Sequence, residues 1–147
     1  TYVANPADTE GLVSFTINFS SIGGAPGVPV ISTTDASLVT FDKATPELTA
    51  VSVISNGTDA TKAKVGDIIT LSFTASEIIQ SAIVTFKSGG VSITGTPIIT
   101  DTGGNNWTAT YTTSSSDTNG LVTFTINFSD QAGNRSAARR AGTEGSS

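Results

Sequence analysis

Large apolar and polar side chains alternate along residues 122–128, which is the spacing of a β-strand with one face in a protein core. The apolar positions are Val122, Phe124, Ile126 and Phe128. We expect these four side chains to face the core, and Thr123, Thr125 and Asn127 to face water. A shift of one residue would exchange the two faces, so burial tests the prediction directly.

Similar runs, separated by turn-forming residues, predict seven strands in the C-terminal part of the chain. The runs are 48–55, 67–75, 81–87, 91–100, 107–113 and 121–128, with a final strand near 135–141. Asn-Gly and Gly-Gly pairs between them supply turn chemistry, and no stretch has a helical period. Seven short antiparallel strands in about 100 residues are typical of an immunoglobulin-like β-sandwich. The predicted fold is therefore all-β.

A segment near the N-terminus recurs almost unchanged later in the chain. Residues 8–20 and 117–129 are identical at eleven of thirteen positions, with an offset of 109 (117 − 8). The shared register extends beyond a single strand, which indicates tandem repeats of one domain rather than two similar strands of one sandwich.

The offset also predicts where the repeats begin and end. Leu38 corresponds to Ser147, so residues 39–147 are expected to form a complete immunoglobulin-like repeat. Residues 1–38 are then the C-terminal part of a preceding repeat plus a linker. The strands expected in that part are 1–3, 12–20 and about 28–34.

The partial repeat predicts a need for outside strands. Without its first four strands, Phe15 and Phe19 lack partners within their own domain, and such exposed apolar faces and strand edges promote association. We expect strands from another copy of the chain to complete it, so that subunits join head to tail into a filament. The alternative is that the chain is an arbitrary excerpt of a longer protein, as its lack of Met suggests.

Composition narrows the classes of function. The net charge of −5 makes nucleic acid and anionic membranes poor partners and divalent cations better ones. No apolar run approaches the ~18 residues of a membrane span, so no membrane insertion is expected. The chain has no Cys and no His, and its many Ser and Thr therefore lack the commonest general base. We expect no enzymatic activity.

Three short motifs resemble a known family. They are D-K-A-T-P at 42–46, A-K-V-G-D at 63–67 with L-S-F-T-A-S-E at 71–77, and D-Q-A-G-N at 130–134. They are similar to the entry, the second strand and the Asp-x-Ala-Gly-Asn turn of bacterial immunoglobulin-like repeats in large surface adhesins. The resemblance implies an extracellular, cell-surface location and a role as a stalk or spacer, with neighbouring repeats or copies of the same chain as partners.

Acidic residues are predicted to gather at one end of the sandwich. Turns of an antiparallel sandwich alternate between its two ends, which places four carboxylates at the junction with the preceding repeat: Asp42, Glu77, Asp101 and Asp130. A Ca²⁺ ion, which takes six to eight oxygen ligands, would relieve their repulsion and stiffen the junction, with Asn134 and backbone carbonyls completing the shell. The alternative is that they are solvated turn residues, with Asp130 making a local Asx-turn.

Trp107 and Tyr111 leave a second class of function open. They lie in an alternating run and either belong to the core or form a stacking platform for sugar. Exposed rings would favour a module that binds glycan or protein through its end loops. Buried rings would favour a structural spacer.

Overall fold

The computed structural model describes residues 1–141, and its backbone divides into two compact units, Thr1–Ala44 and a second that begins at Thr45. The sequence places the division six residues earlier, and its predicted end at Ser147 lies outside the described residues. All regular secondary structure in the described chain is β-strand. No helix there is long and apolar enough to cross a membrane.

The second unit consists, as far as it is described, of two antiparallel four-stranded sheets. Its strands are β3 (Leu48–Ser55), β4 (Ile68–Ala75), β5 (Ile79–Ser88), β6 (Val91–Ser92), β7 (Ile98–Gly103), β8 (Asn106–Thr112), β9 (Val122–Asp130) and β10 (Arg139–Ala141). One sheet has the strand order β3-β4-β8-β7 and the other β10-β9-β5-β6. Apolar side chains from both sheets form a single buried cluster, which makes this unit a sandwich-like all-β fold.

Strand β9 has the predicted parity. Phe124, Ile126 and Phe128 are buried, and Val122 packs partly buried against the same cluster. Thr123 and Thr125 are half-buried rather than exposed, because their neighbours in β5, Lys87 and Thr85, lie directly opposite and cover part of each side chain.

The prediction of one continuous strand over residues 91–100 is wrong. Its first part, β6, pairs with β5, whereas its second part, β7, pairs with β8 in the other sheet. Pro97 has no amide to donate to a ladder, and a Cβ on Gly95 would lie 2.8 Å from the Tyr111 ring, so the chain passes close to the core here. The described part of the second unit therefore has eight strands instead of seven.

Most of the strand structure predicted for the first unit does not form. Regular pairing is limited to β1 (Gly11–Leu12) and β2 (Thr40–Phe41), and the predicted strands at 1–3, 12–20 and 28–34 are otherwise irregular. Ile17 and Val30 still exchange two backbone hydrogen bonds, of 2.8 and 3.1 Å. Phe19 then accepts the amide of Gly27, one residue out of the register set by Ile17 and Val30, so the ladder is interrupted there.

Residues 17–30 of the first unit form a hairpin, which has the same backbone pairing as β9 and β10. Each isolated bridge in the first unit has a counterpart exactly one repeat later in the second. The bridge pairs are Ile17–Val30 and Ser20–Pro26 in the first unit, and Ile126–Arg139 and Ser129–Arg135 in the second. The offset of 109 therefore relates backbone structure as well as sequence.

Candidate functional site

Asp130 closes the turn that follows β9. Only 1% of this residue is exposed. Its Oδ1 accepts the backbone amides of Gly133 and Asn134 at 2.7 and 2.8 Å, and its Oδ2 accepts the Asn134 side-chain amide at 2.8 Å. Gly133 has a φ of +97°, which few other residues adopt. The turn is thus held by a carboxylate that bonds its own backbone, as in an Asx-turn.

Two opposing effects act on the pKa of Asp130. Burial raises the pKa, whereas hydrogen bonds from the Asn134 side chain and from the backbone of Asn134, Gly133 and Ala132 lower it. The hydrogen bonds prevail, and the pKa of Asp130 lies below its ordinary value. The carboxylate is therefore charged at neutral pH.

Glu77 lies beside Asp130. It lies between β4 and β5, two residues before Ile79, which is opposite Asp130 in the sheet. This register brings a carboxylate oxygen of Glu77 within 4.8 Å of one of Asp130. Two negative charges at this distance repel each other, and an opposite charge between them would be stabilised.

The other two predicted carboxylates have different surroundings. Asp101 lies in β7, at the edge of the other sheet, where it is exposed and accepts the amide of Gly103 at 2.8 Å. Within the described chain it is not part of the Glu77–Asp130 pair. Asp42 belongs to the first unit, follows β2 and accepts the amide of Ala44 at 2.9 Å.

The oxygen atoms of this pair limit how a cation could bind. A carboxylate oxygen accepts about two hydrogen bonds, so both lone pairs of Asp130 Oδ1 are engaged, and at most one remains on Oδ2. Asn134, considered as a ligand from the sequence, donates its side-chain amide to Asp130 Oδ2. Because Ca²⁺ needs six to eight oxygens, the pair fits a cation only as part of a larger shell.

Known proteins provide no template for this turn. Comparison of the chain with protein-family models, with curated proteins and with solved structures finds no match.

The chain itself provides a comparison, because the first unit has Ser21 at the position that corresponds to Asp130 one repeat later. The Ser21 hydroxyl accepts the amide of Ala25 at 3.2 Å. A neutral acceptor can therefore make a turn of this kind, and the charge of Asp130 is not required for the turn alone.

The two aromatic candidates pack inward. Tyr111 is 6% exposed and belongs to the core, and its hydroxyl donates a hydrogen bond to Asp117. Trp107 is partly buried against the core and stacks on Phe73, with ring centroids 6.5 Å apart and planes 9° from parallel. Neither ring lies free on the surface as a sugar platform would.

An open cleft of about 640 Å³ lies at the end of the second unit opposite to Asp130. Its charged side chains already have partners: Lys62 pairs with Asp59, and Lys64 pairs with Asp67. Asp117, which also lines the cleft, accepts the amide of Ser114 at 2.8 Å. These pairs were not predicted from the sequence, although their three-residue spacing is visible in it. They connect residues within the loops that border the cleft.

Proposed function

We propose that the chain is part of a tandem array of immunoglobulin-like repeats that acts as a spacer or stalk of an extracellular bacterial adhesin or surface fibre. The observation that carries the proposal is the repeat itself, in which an offset of 109 residues preserves eleven of thirteen side chains and the bridge pairs. Arrays of such units gain length with each copy, since each copy contacts only its neighbours.

The strand orders support the immunoglobulin-like part of the proposal. The order β3-β4-β8-β7 matches strands A-B-E-D of an immunoglobulin constant-type sandwich, and β10-β9-β5 matches strands G-F-C. The short β6 at the edge beside β5 is then an addition to that seven-strand pattern. The extracellular location rests on the resemblance of the three motifs to surface adhesins.

The inward packing of Trp107 and Tyr111 supports a structural role over a glycan-binding one. We also propose that the chain is not an enzyme. It has no His or Cys, and the charged groups that line the cleft are engaged in ion pairs or hydrogen bonds within the described chain.

Tandem copies test the spacer function. Polypeptides with one, two and four copies of residues 39–147 should show a maximum dimension, measured by small-angle X-ray scattering, that rises in proportion to copy number. Calorimetry should give similar melting temperatures, because each copy has its own core. Collapse into one globule, whose radius grows with only about the 0.4 power of chain length, would contradict the proposal.

We extend the proposal to a calcium-stiffened junction in which Asp42 joins Glu77 and Asp130. Asp42 stands four residues before the buried Pro46. Since an extended chain spans at most about 3.6 Å per residue, Asp42 cannot lie farther than about 14 Å from that anchor. The charge of the Glu77–Asp130 pair supports a divalent cation there.

Calcium should raise the melting temperature relative to chelator. Binding to the folded state alone stabilises it by about 2.7 kcal/mol at a hundredfold excess over the dissociation constant. Glu77→Gln should reduce the shift, whereas Asp101→Asn, a matched change away from the pair, should leave it intact. Melting curves that coincide in calcium and in chelator would exclude the site.

A further inference from the structure

The chain contains two Asn-Gly pairs, and the structure gives them different surroundings. Asn56-Gly57 follows β3, and Asn119-Gly120 lies in the loop that joins β8 to β9. An asparagine before glycine can lose its side-chain amide without an enzyme, because the glycine has no Cβ to hinder attack by its own backbone nitrogen. The surroundings of each pair in the fold therefore decide which of them reacts.

Hydrogen bonds hold both reacting groups of the first pair. The Asn56 Oδ1 atom accepts the backbone amide of Ile68 at 2.7 Å. The amide of Gly57, which would have to attack Asn56, donates to the hydroxyl of the buried Ser55 at 3.1 Å. Attack on the Asn56 side chain thus requires both hydrogen bonds to open first.

The second pair lacks these restraints. Asn119 and Gly120 are both exposed. Within the part of the chain that the structure describes, neither the Asn119 side chain nor the Gly120 amide makes a hydrogen bond. The attacking nitrogen and the side-chain amide that it attacks are therefore both available.

We propose that Asn119 is a site of spontaneous deamidation in the folded chain, with water as the co-reactant. The Gly120 nitrogen attacks the side-chain carbonyl carbon of Asn119, and its proton leaves with the side-chain NH₂ group as ammonia. The resulting succinimide ring then takes up water. Opening at one carbonyl gives aspartate, and opening at the other gives isoaspartate, in which the backbone runs through the former side chain. This inference is independent of the spacer function, because it requires only the exposed loop.

The first unit shows that a carboxylate suits this turn. Glu10 and Gly11 stand one repeat before Asn119 and Gly120. The two glycines have similar backbone conformations, with φ of +124° and +146°. The aspartate product therefore gives the second unit the acid-Gly pair that the first unit already has.

The isoaspartate product fits this loop less well. It adds a methylene group to the backbone before Gly120, where the loop packs closely on Gly89. A Cβ on Gly120 would lie 2.6 Å from the Cα of Gly89, and a Cβ on Gly89 would lie 2.5 Å from the carbonyl oxygen of Asn119. Ring closure adds no atom to the backbone, so this contact opposes the isoaspartate product more than the attack.

Peptide mapping by mass spectrometry tests the order of the two sites on the whole chain. During incubation at neutral to mildly alkaline pH, Asn119 should deamidate at least about tenfold faster than Asn56, because two hydrogen bonds restrain the latter. In enough urea to unfold the chain, the two rates should become similar, since both residues precede glycine. Equal rates in the folded chain, a faster Asn56, or no conversion of Asn119 in the folded chain would overturn the proposal.

Two variants check the assigned causes. Ser55→Ala frees the Gly57 amide and should raise the deamidation rate of Asn56 in the folded chain, while the rate at Asn119 stays the same. Asn119→Gln retains a side-chain amide but requires a larger ring, which closes more slowly, so release of ammonia from the folded chain should fall at least about tenfold. An unchanged rate at Asn56 in the first variant, or undiminished release of ammonia in the second, would also overturn the proposal.

Discussion

Phe124→Ala should lower the free energy of unfolding of the second unit by about 3–5 kcal/mol, as truncation of a buried phenylalanine does. Phe124 is buried near the start of β9, opposite Phe86 of β5, which is also buried. Truncation removes apolar contacts and leaves a cavity that both sheets border. Urea unfolding followed by the fluorescence of Trp107, the only tryptophan, measures the change.

Ile83→Ala is the matched control for this substitution. Ile83 lies in the adjacent strand but faces outward, with 63% of the residue exposed. Its truncation should cost less than about 1 kcal/mol, because little apolar surface is returned to water. Equal losses for the two variants would show that the assigned faces of this sheet are incorrect.

Asp130→Ala should cost about 3–4 kcal/mol. Hydrogen bonds to a charged group contribute about 1.5–3 kcal/mol each, and this carboxylate accepts three, from Gly133 and Asn134. The loss is smaller than the sum of the three, because water can reach the exposed Gly133 once the side chain is gone. Asp130→Ser should cost less, since the Ser21 hydroxyl makes the equivalent turn in the first copy. A cost for Asp130→Ala below about 1 kcal/mol in urea unfolding would contradict this role.

The same carboxylate makes stability depend on pH in the acid range. A pKa lowered by folding means that the unfolded chain binds the proton more readily, so acid favours unfolding. The contribution of Asp130 is fully present above the ordinary Asp pKa of about 4 and is lost as pH falls through the lowered value. Asp130→Asn should flatten this part of the curve of unfolding free energy against pH. A curve identical to that of the native chain would mean that Asp130 titrates normally.

The sequence was informative where a segment's structure depends on local pattern. Alternation predicted the buried face of β9, since every second residue of a strand faces the same side. The repeat offset aligned two hairpins whose pairing the structure shows to be equivalent.

Prediction failed where structure depends on distant partners. The alternating pattern at 91–100 predicts one strand, but the chain changes sheets near Gly95, where it passes close to the Tyr111 ring. The local signs of this interruption were Gly95 and Pro97, which are unfavourable inside a strand. Residues 12–20 share almost the whole pattern of β9 but do not form a regular strand, because a strand also needs neighbours on its edges. Asp101 lies in strand β7 instead of the predicted turn, at the edge of the other sheet from Asp130.

The register between β5 and β9 also constrains when the second unit can fold during synthesis. Ala82 pairs with Phe128, so one sheet cannot close until nearly the whole repeat has left the ribosome. During that interval β5 is free while a segment almost identical to β9 is already present one repeat upstream. Side chains alone hardly distinguish the two, since residues 12–20 and 121–129 differ only at Ser14 and Thr123. Correct pairing then depends on the timing of synthesis, and slowed elongation after β5 should increase the fraction of chains with strands exchanged between repeats.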